Sequence, residues 1–195
     1  MFDLISLLKA VGYTGFFSII FAESGILIGF FFPGDSLLFT AGFLASQGVF
    51  DIYSLLVLGV LGAVLGDSFG YFFGKKAGPK IFTREDSWFF HKRHLERARD
   101  FYARHGGKAI VLARFLPVIR TFAPILAGVG KMHYPTFLLY NIGGGVFWVL
   151  SLIGLGYFFG NIIPDADQYI IPIVILIIII SSFPTVIQIW RTRRF

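Results

Sequence analysis

The chain has 195 residues, of which 56% are hydrophobic, 18% aromatic and only 14% charged, and none is cysteine. Several apolar runs of about twenty residues carry almost no charge, which is typical of a helical membrane protein with several spans. The composition excludes a disulfide framework and a thiolate metal site. The length leaves no room for a separate soluble domain beside one membrane domain over residues 1–195.

The positive charge lies in one connecting segment. Between Lys75 and Lys108 there are ten Lys or Arg and four Asp or Glu residues, so this segment carries the whole net charge of +6. Because basic loops stay on the cytoplasmic side of a membrane, we expect the 75–106 linker and the tail Arg191–Arg194 to be cytoplasmic. Basic patches also bind nucleic acid, but topology is the better explanation in so apolar a chain, and no nucleic-acid partner is expected.

The first apolar region predicts a re-entrant hairpin, preceded by a short interfacial helix at residues 2–12. Two apolar arms follow, at 13–32 and 36–48, and the second arm is too short to span a bilayer as a helix. Glu23 interrupts the first arm. A Pro-Gly turn favours a hairpin between the arms, and this turn is Pro33-Gly34-Asp35.

A spanning helix is predicted over residues 52–74, with Asp51 as its N-cap and Asp67 inside it. Glycine recurs at every fourth position on one face of this helix, at Gly62, Gly66, Gly70 and Gly74. Such a row of glycines lets another helix approach closely. Residues 84–105 then carry apolar side chains at helical spacing and predict an amphipathic helix on the cytoplasmic surface. The histidines lack metal-ligand spacing, so neither a metal site nor a cofactor is expected.

The second apolar region, residues 107–130, carries two prolines and two arginines. Proline removes a backbone donor, so we expect the helix to break or bend at Pro117 and Pro124. Arg114 and Arg120 would together cost about 5–7 kcal/mol at the bilayer centre without partners. Broken backbone at that depth persists only where it is buried in protein or lines a wet cavity. Since the ligand that suits an arginine pair is a carboxylate or a phosphate, we predict an anion site.

Two further spans are predicted. The first, at 134–161, contains Asn141 and Trp148, which are expected to pack and to hydrogen-bond between helices. The second, at 168–190, is almost entirely Ile and Val and is predicted to be a lipid-facing scaffold.

An internal repeat is indicated by two motifs. Ala41-Gly42 recurs as Ala127-Gly128, and Gly70-Tyr-Phe-Phe-Gly74 recurs as Gly156-Tyr-Phe-Phe-Gly160, both after 86 residues. Residues 13–74 and 107–161 are therefore predicted to be two units, each a re-entrant hairpin plus a transmembrane helix, with the second unit inverted. The predicted fold is an all-α polytopic membrane protein, and inverted repeats with broken helices are typical of secondary transporters.

One ordered set of residues between about 15 and 161 carries a family resemblance. The set is Glu23, Phe32-Pro-Gly-Asp35, Gly66-Asp-Ser-Phe-Gly-Tyr71, Arg114-Phe-Leu-Pro117, Arg120, Ala127-Gly128, Met132, Phe137, Asn141, Gly144 and Trp148. It resembles the DedA family of membrane proteins. The resemblance implies a bacterial inner-membrane transporter with two facing re-entrant hairpins. It also implies that undecaprenyl phosphate is carried back towards the cytoplasm, and that Glu23, Asp35, Arg114 and Arg120 are required.

The predicted site follows from these observations. Arg114 and Arg120 are predicted to bind the phosphate of a polyprenyl-phosphate lipid, and Glu23 and Asp35 to pair with them and take up protons. Supporting roles are predicted for Pro33, Gly34, Asp67, Pro117, Asn141 and Trp148. The expected partners are the lipid, the bilayer and protons, and homo-oligomerisation is left open.

Simpler explanations remain open for several of these residues. The arginines could snorkel to the interface, Glu23 could only neutralise an arginine, Asp35 could be a turn residue, and Asp67 could hydrogen-bond between helices. A proton-coupled cation antiporter and a general phospholipid scramblase are alternative functions. A lipid-phosphate phosphatase would need a nucleophile or base, usually histidine, beside the arginines. No histidine lies in the apolar core, so an enzyme is not expected.

Overall fold

The structure, a computed structural model, describes residues 4–26, 34–81, 106–114 and 116–162. All regular secondary structure in these ranges is helical, in the order α1 (Leu4–Gly25), α2 (Gly34–Ser46), α3 (Ile52–Ile81), α4 (Lys108–Ala113), α5 (Pro117–Val129) and α6 (Tyr134–Ile162). The all-α prediction is therefore confirmed for this part of the chain. Pro33, the linker helix predicted at 84–105 and the span predicted at 168–190 lie outside the described residues.

Two of the described helices are long and apolar enough to cross a membrane, residues Ile52–Ala77 of α3 and the whole of α6. Their 26 and 29 residues exceed the roughly 20 that a hydrocarbon core requires. The outer face of α3 exposes a row of large apolar side chains, at Tyr53, Val57, Leu61, Leu65 and Phe69. Both spans were predicted, although α3 continues to Ile81, beyond the expected end at residue 74.

The start of α3 is capped as the sequence predicted. The backbone N–H of Ser54 donates to Asp51 Oδ2 (2.7 Å), and this bond lowers the pKa of the exposed Asp51 carboxyl. The backbone N–H of Asp51 in turn donates to the phenolic oxygen of Tyr13 (2.8 Å), which ties α1 to this end of α3. Just before Tyr13, α1 bends at Gly12, whose φ of 60° favours glycine. The bend coincides with the boundary predicted between residues 2–12 and the apolar arm.

Three of the remaining helices are too short to span a bilayer. α2 and α5 have 13 residues each and α4 has six. α5 begins at Pro117, where the missing backbone N–H of proline has no intrahelical partner to lose. Pro124 was also expected to break or bend the helix, but it lies inside α5 without ending it. Of the two prolines, only Pro117 therefore stands at a break between helices.

The glycine face of α3 receives two helices rather than one. Gly62 and Gly66 lie against α1, whereas Gly70 and Gly74 lie against α5. At Gly66 the approach is so close that an added Cβ would lie 2.6 Å from the carbonyl oxygen of Phe21, so only glycine fits. The predicted role of the glycines in close packing is confirmed. α2 packs along α6 in a similar way, with Gly156 against the backbone of Phe39.

Two apolar clusters fill the bundle. The larger joins α1, α2, α3 and α6 and includes Phe16, Leu38, Leu55 and Ile153. The smaller joins α3, α4, α5 and α6 around Tyr71 and Phe137. Polar residues lie between the two clusters. On α3, for example, Asp67 lies one turn after Ala63 of the larger cluster and one turn before Tyr71 of the smaller cluster. The buried polar layer thus crosses the middle of the bundle.

Candidate functional site

Arg120 belongs to the first part of this layer. It lies in α5 shortly after Pro117, and its Nη1 donates to Asp35 Oδ1 of α2 (2.6 Å). Its Nη2 forms a second ion pair with Glu23, near the end of α1. The exposed fractions of the three side chains are 13% for Arg120, 2% for Glu23 and 21% for Asp35. One arginine therefore holds together the three broken-helix segments α1, α2 and α5.

Gly34 supports the position of Glu23. A Cβ at Gly34, the first residue of α2, would occupy the space of the Glu23 carboxylate. Glu23 Oε2 is fully buried and has no hydrogen-bond partner among the described residues. The glycine of the predicted Pro-Gly turn is thus needed for the carboxylate to lie beside the start of α2.

Arg114 forms the second part of the layer, at the end of α4. Its Nη2 donates to Asp67 Oδ2 of α3 and to Asn141 Oδ1 of α6, and the Arg114 and Asp67 side chains are only 4% and 8% exposed. Asn141 Nδ2 also donates to the Val64 carbonyl (3.1 Å), which joins α6 to α3. The guanidinium lies beside α6 at Gly144 and Gly145, within about 4 Å of the Cβ that either position would carry. Arg114 is thus bound to the two long helices.

Trp148 lies between the two arginines. Its ring centroid is 4.9 Å from Arg120 Cζ and 5.8 Å from Arg114 Cζ, distances at which a cation and an aromatic face attract each other. Its Nε1–H donates to Asp35 Oδ1 (2.9 Å), the oxygen that also accepts from Arg120. The hydrogen bond between helices that was predicted for Trp148 is confirmed, and its contacts with the two arginines are additional.

A small cavity of about 10 Å³ lies among these side chains, and its lining includes Ser24, Asp67, Arg114, Arg120 and Trp148. This volume is close to the minimum that one water molecule needs. A phosphate group is several times larger than a water molecule, so its binding between the arginines requires the lining to move apart.

The formal charge of the layer is negative. Its described members include two arginines and three carboxylates, Glu23, Asp35 and Asp67. With every group ionised, the sum is −1. Among the described residues, no cluster of His, Cys, Asp or Glu could hold a metal ion. The chemistry that this arrangement supports is binding of an anion by guanidinium groups, with carboxylates that can exchange protons.

The structure distributes the predicted site residues over two ion-pair groups. Glu23 and Asp35 both contact Arg120, whereas they were expected to serve Arg114 as well. Arg114 is paired with Asp67, to which the sequence analysis gave only a supporting role. The signal for Asp67 was present in the sequence, because an acidic residue inside a spanning helix needs a buried partner. The positions of the residues along the sequence did not indicate which residue that partner is.

Comparisons with known proteins show the family of the chain. The VTT domain family matches residues 32–158, and the chain is 42% identical over 184 residues to Protein DedA of Escherichia coli K12, covering 93% of this chain and 84% of that protein. The chain belongs to the DedA family of membrane proteins.

Other DedA-family relatives span similar lengths. A membrane protein of Mycobacterium leprae is 40% identical over 193 residues, covering 94% of this chain and 86% of that protein. Inner membrane protein YqjA of Escherichia coli K12 is 30% identical over 192 residues, covering 93% of this chain and 85% of that protein. No solved structure matches the chain. These two relatives are named as membrane proteins.

Proposed function

We propose that this protein is a transporter for a polyprenyl-phosphate carrier lipid such as undecaprenyl phosphate, which it returns to the cytoplasmic leaflet of a bacterial inner membrane. The observation that carries the proposal is one cavity lined by two arginines, the buried Arg114 and the partly buried Arg120, where short helices end and begin in an apolar bundle. Membrane transporters commonly build their substrate sites from such broken helices.

The head group that the arginines favour is a phosphate. Each guanidinium offers several donors in a rigid plane, which suits phosphate oxygens, and it keeps its charge at any physiological pH. The surrounding helices expose apolar side chains, so a polyprenyl tail can stay in the bilayer while the head group enters the bundle. Recognition then depends on the phosphate and little on the tail.

Proton coupling follows from the charge of the layer. The described site already sums to −1 when all its groups are ionised. A phosphate that replaces a carboxylate on Arg120 would add further negative charge, which a desolvated site does not accept without compensation. Uptake of protons by Glu23 and Asp35 supplies that compensation. The lipid and protons would therefore enter the site together, and affinity for the lipid should rise as the pH falls.

The proposed architecture is an inverted repeat. In it, α1 with α2 and α4 with α5 are two re-entrant hairpins that meet at the charged layer, and the 75–106 linker faces the cytoplasm. Two close contacts support this view, because Gly70 lies against Ile125 and Gly156 lies against Phe39. Gly156 follows Gly70 by 86 residues and Ile125 follows Phe39 by 86 residues, so each contact is the other with its two partners exchanged, as repeats related by a two-fold axis require. A lipid with a charged head group could cross between such hairpins without passing through hydrocarbon.

The test is direct binding of a polyprenyl phosphate and of its dephosphorylated alcohol to the purified protein. Charge-assisted hydrogen bonds contribute roughly 1.5–3 kcal/mol each, so Arg120→Ala should weaken phosphate binding by about ten- to a hundredfold. Arg114→Ala should do the same, and Arg120→Lys should not restore affinity. Equal affinity for phosphate and alcohol in the wild-type protein would remove the anion site and favour a proton-coupled cation antiporter that uses Glu23 and Asp35.

A further inference from the structure

Trp148 makes contacts that packing alone does not require. It is 4% exposed, and its ring lies against Arg114 and Arg120. Its indole N–H donates to Asp35 Oδ1 (2.9 Å), which also accepts from Arg120 Nη1 (2.6 Å). One side chain thus contacts both arginines with its face and a carboxylate with its edge. Phenylalanine could supply the ring but not the bond to Asp35.

We infer that Trp148 is a positioning residue that couples proton uptake by Asp35 to the opening of the arginine site. A hydrogen bond to an ionised carboxylate is stronger than one to a neutral acid. While Asp35 is ionised, it holds the indole in place between the arginines. When Asp35 takes up a proton, both bonds at Oδ1 weaken and the indole is released.

Release of the indole matters because Trp148 limits the cavity. The space between the arginines measures about 10 Å³, and Trp148 is part of its lining. A phosphate cannot enter unless a lining group moves, and among the described lining residues Trp148 is the one that contacts both arginines and a carboxylate. Movement of this side chain would open the space between the guanidinium groups. The role of this coupling in transport rests on the proposed function. The first experiment below, a fluorescence titration without lipid, does not depend on that function.

The charged surroundings of Asp35 allow the effect of the indole to be isolated. The other charged groups of this layer are Glu23 on α1, Asp67 on α3, Arg114 at the end of α4 and Arg120 on α5. From α6, the described polar contact with Asp35 is the indole N–H. Replacing the indole by phenylalanine leaves these four charges in place and keeps a ring beside the arginines, so a changed pH profile reports the lost N–H.

The first experiment uses the fluorescence of Trp148 itself. The chain has three tryptophans, and replacing Trp88 and Trp190 by phenylalanine leaves Trp148 as the sole emitter. Without lipid, the emission of the purified protein should change as the pH is lowered and Asp35 takes up its proton. Asp35→Asn should abolish the change. Emission independent of pH, or a change that persists in Asp35→Asn, would overturn the inference.

The second experiment measures binding of a short-chain polyprenyl phosphate against pH. Trp148→Phe keeps a ring beside the arginines but removes the donor that stabilises ionised Asp35. Asp35 should then take up its proton more readily, and the midpoint of the pH dependence should move upward by about one unit. Tyr71→Phe is the matched control, because it removes a donor from another buried aromatic, which bonds to the Met132 carbonyl and does not line the cavity. Its midpoint should equal that of the wild type.

The two experiments separate the inference from the proposed function. An unshifted midpoint in Trp148→Phe would contradict the coupling even if the lipid binds well. A wild-type protein that does not prefer the phosphate to the alcohol would contradict the proposed substrate, and the fluorescence titration would still decide whether Trp148 responds to Asp35.

Discussion

The ion pair between Arg114 and Asp67 gives a prediction about stability that is independent of the substrate. Asp67→Asn keeps the shape of the side chain and removes its charge, which leaves Arg114 with Asn141 as a neutral partner. Both charged side chains are almost fully buried, at 4% and 8% exposure. Removing one partner of such a pair typically costs about 3–5 kcal/mol, because the other charge stays buried and uncompensated.

This cost corresponds to a large change in melting temperature. Each kcal/mol shifts the midpoint by about 2–4 °C in chains of 150–250 residues, so Asp67→Asn should unfold about 6–20 °C below the wild type. The assay is the fraction of protein that stays monodisperse in detergent after heating. Asp51→Asn is the matched control, because Asp51 is exposed and asparagine also caps a helix, so its midpoint should change little.

The double variant Arg114→Leu with Asp67→Leu sharpens the test. Removing both charges leaves no uncompensated ion, and apolar replacement of a buried pair is often neutral for stability or better. The double variant should therefore be more stable than Asp67→Asn, although it should lose lipid binding. A decrease of less than about 2 °C in Asp67→Asn would refute the reasoning, since it would mean that Arg114 does not depend on Asp67 for its charge balance.

Three further predictions concern the carboxylates and the close contacts. Glu23→Gln and Asp35→Asn should flatten the pH dependence of lipid transport in proteoliposomes more than they weaken lipid binding at low pH, because each removes a group that takes up a proton. If both variants transported normally across pH, Glu23 and Asp35 would have only a structural role. Gly34→Ala should impair transport because its Cβ occupies the space of the Glu23 carboxylate, and the shorter side chain of Glu23→Asp should partly restore it; a fully active Gly34→Ala would contradict this contact. Gly66→Ala should lower the melting temperature because an added Cβ would meet the backbone of α1. The control Gly143→Ala should leave the melting temperature unchanged, because the space at Gly143 is open. Equal melting temperatures for the two variants would argue against the α1–α3 contact.

Local pattern was enough to predict most of the described fold. The two long helices were found from runs of apolar residues, and the Asp51 cap from its position before one of them. The packing face of α3 was predicted from its four glycines, because helical spacing places every fourth residue on one face. Pro117 correctly indicated a break, but Pro124 did not, since proline is tolerated inside a membrane helix when neighbouring groups compensate. A proline by itself does not reveal which case applies.

The sequence by itself determined that charged groups lie inside an apolar chain and therefore need partners. Only the tertiary structure decided which groups pair. Arg114 meets Asp67 across 47 residues of sequence, and Arg120 meets Asp35 across 85 residues. Trp148 reaches Asp35 from a distance of 113 residues. Such pairings depend on how five helices converge at one depth, and every acid in this layer is an electrostatically acceptable partner for either arginine. The choice between them is made by distance, which the packing of the glycine-lined helices sets.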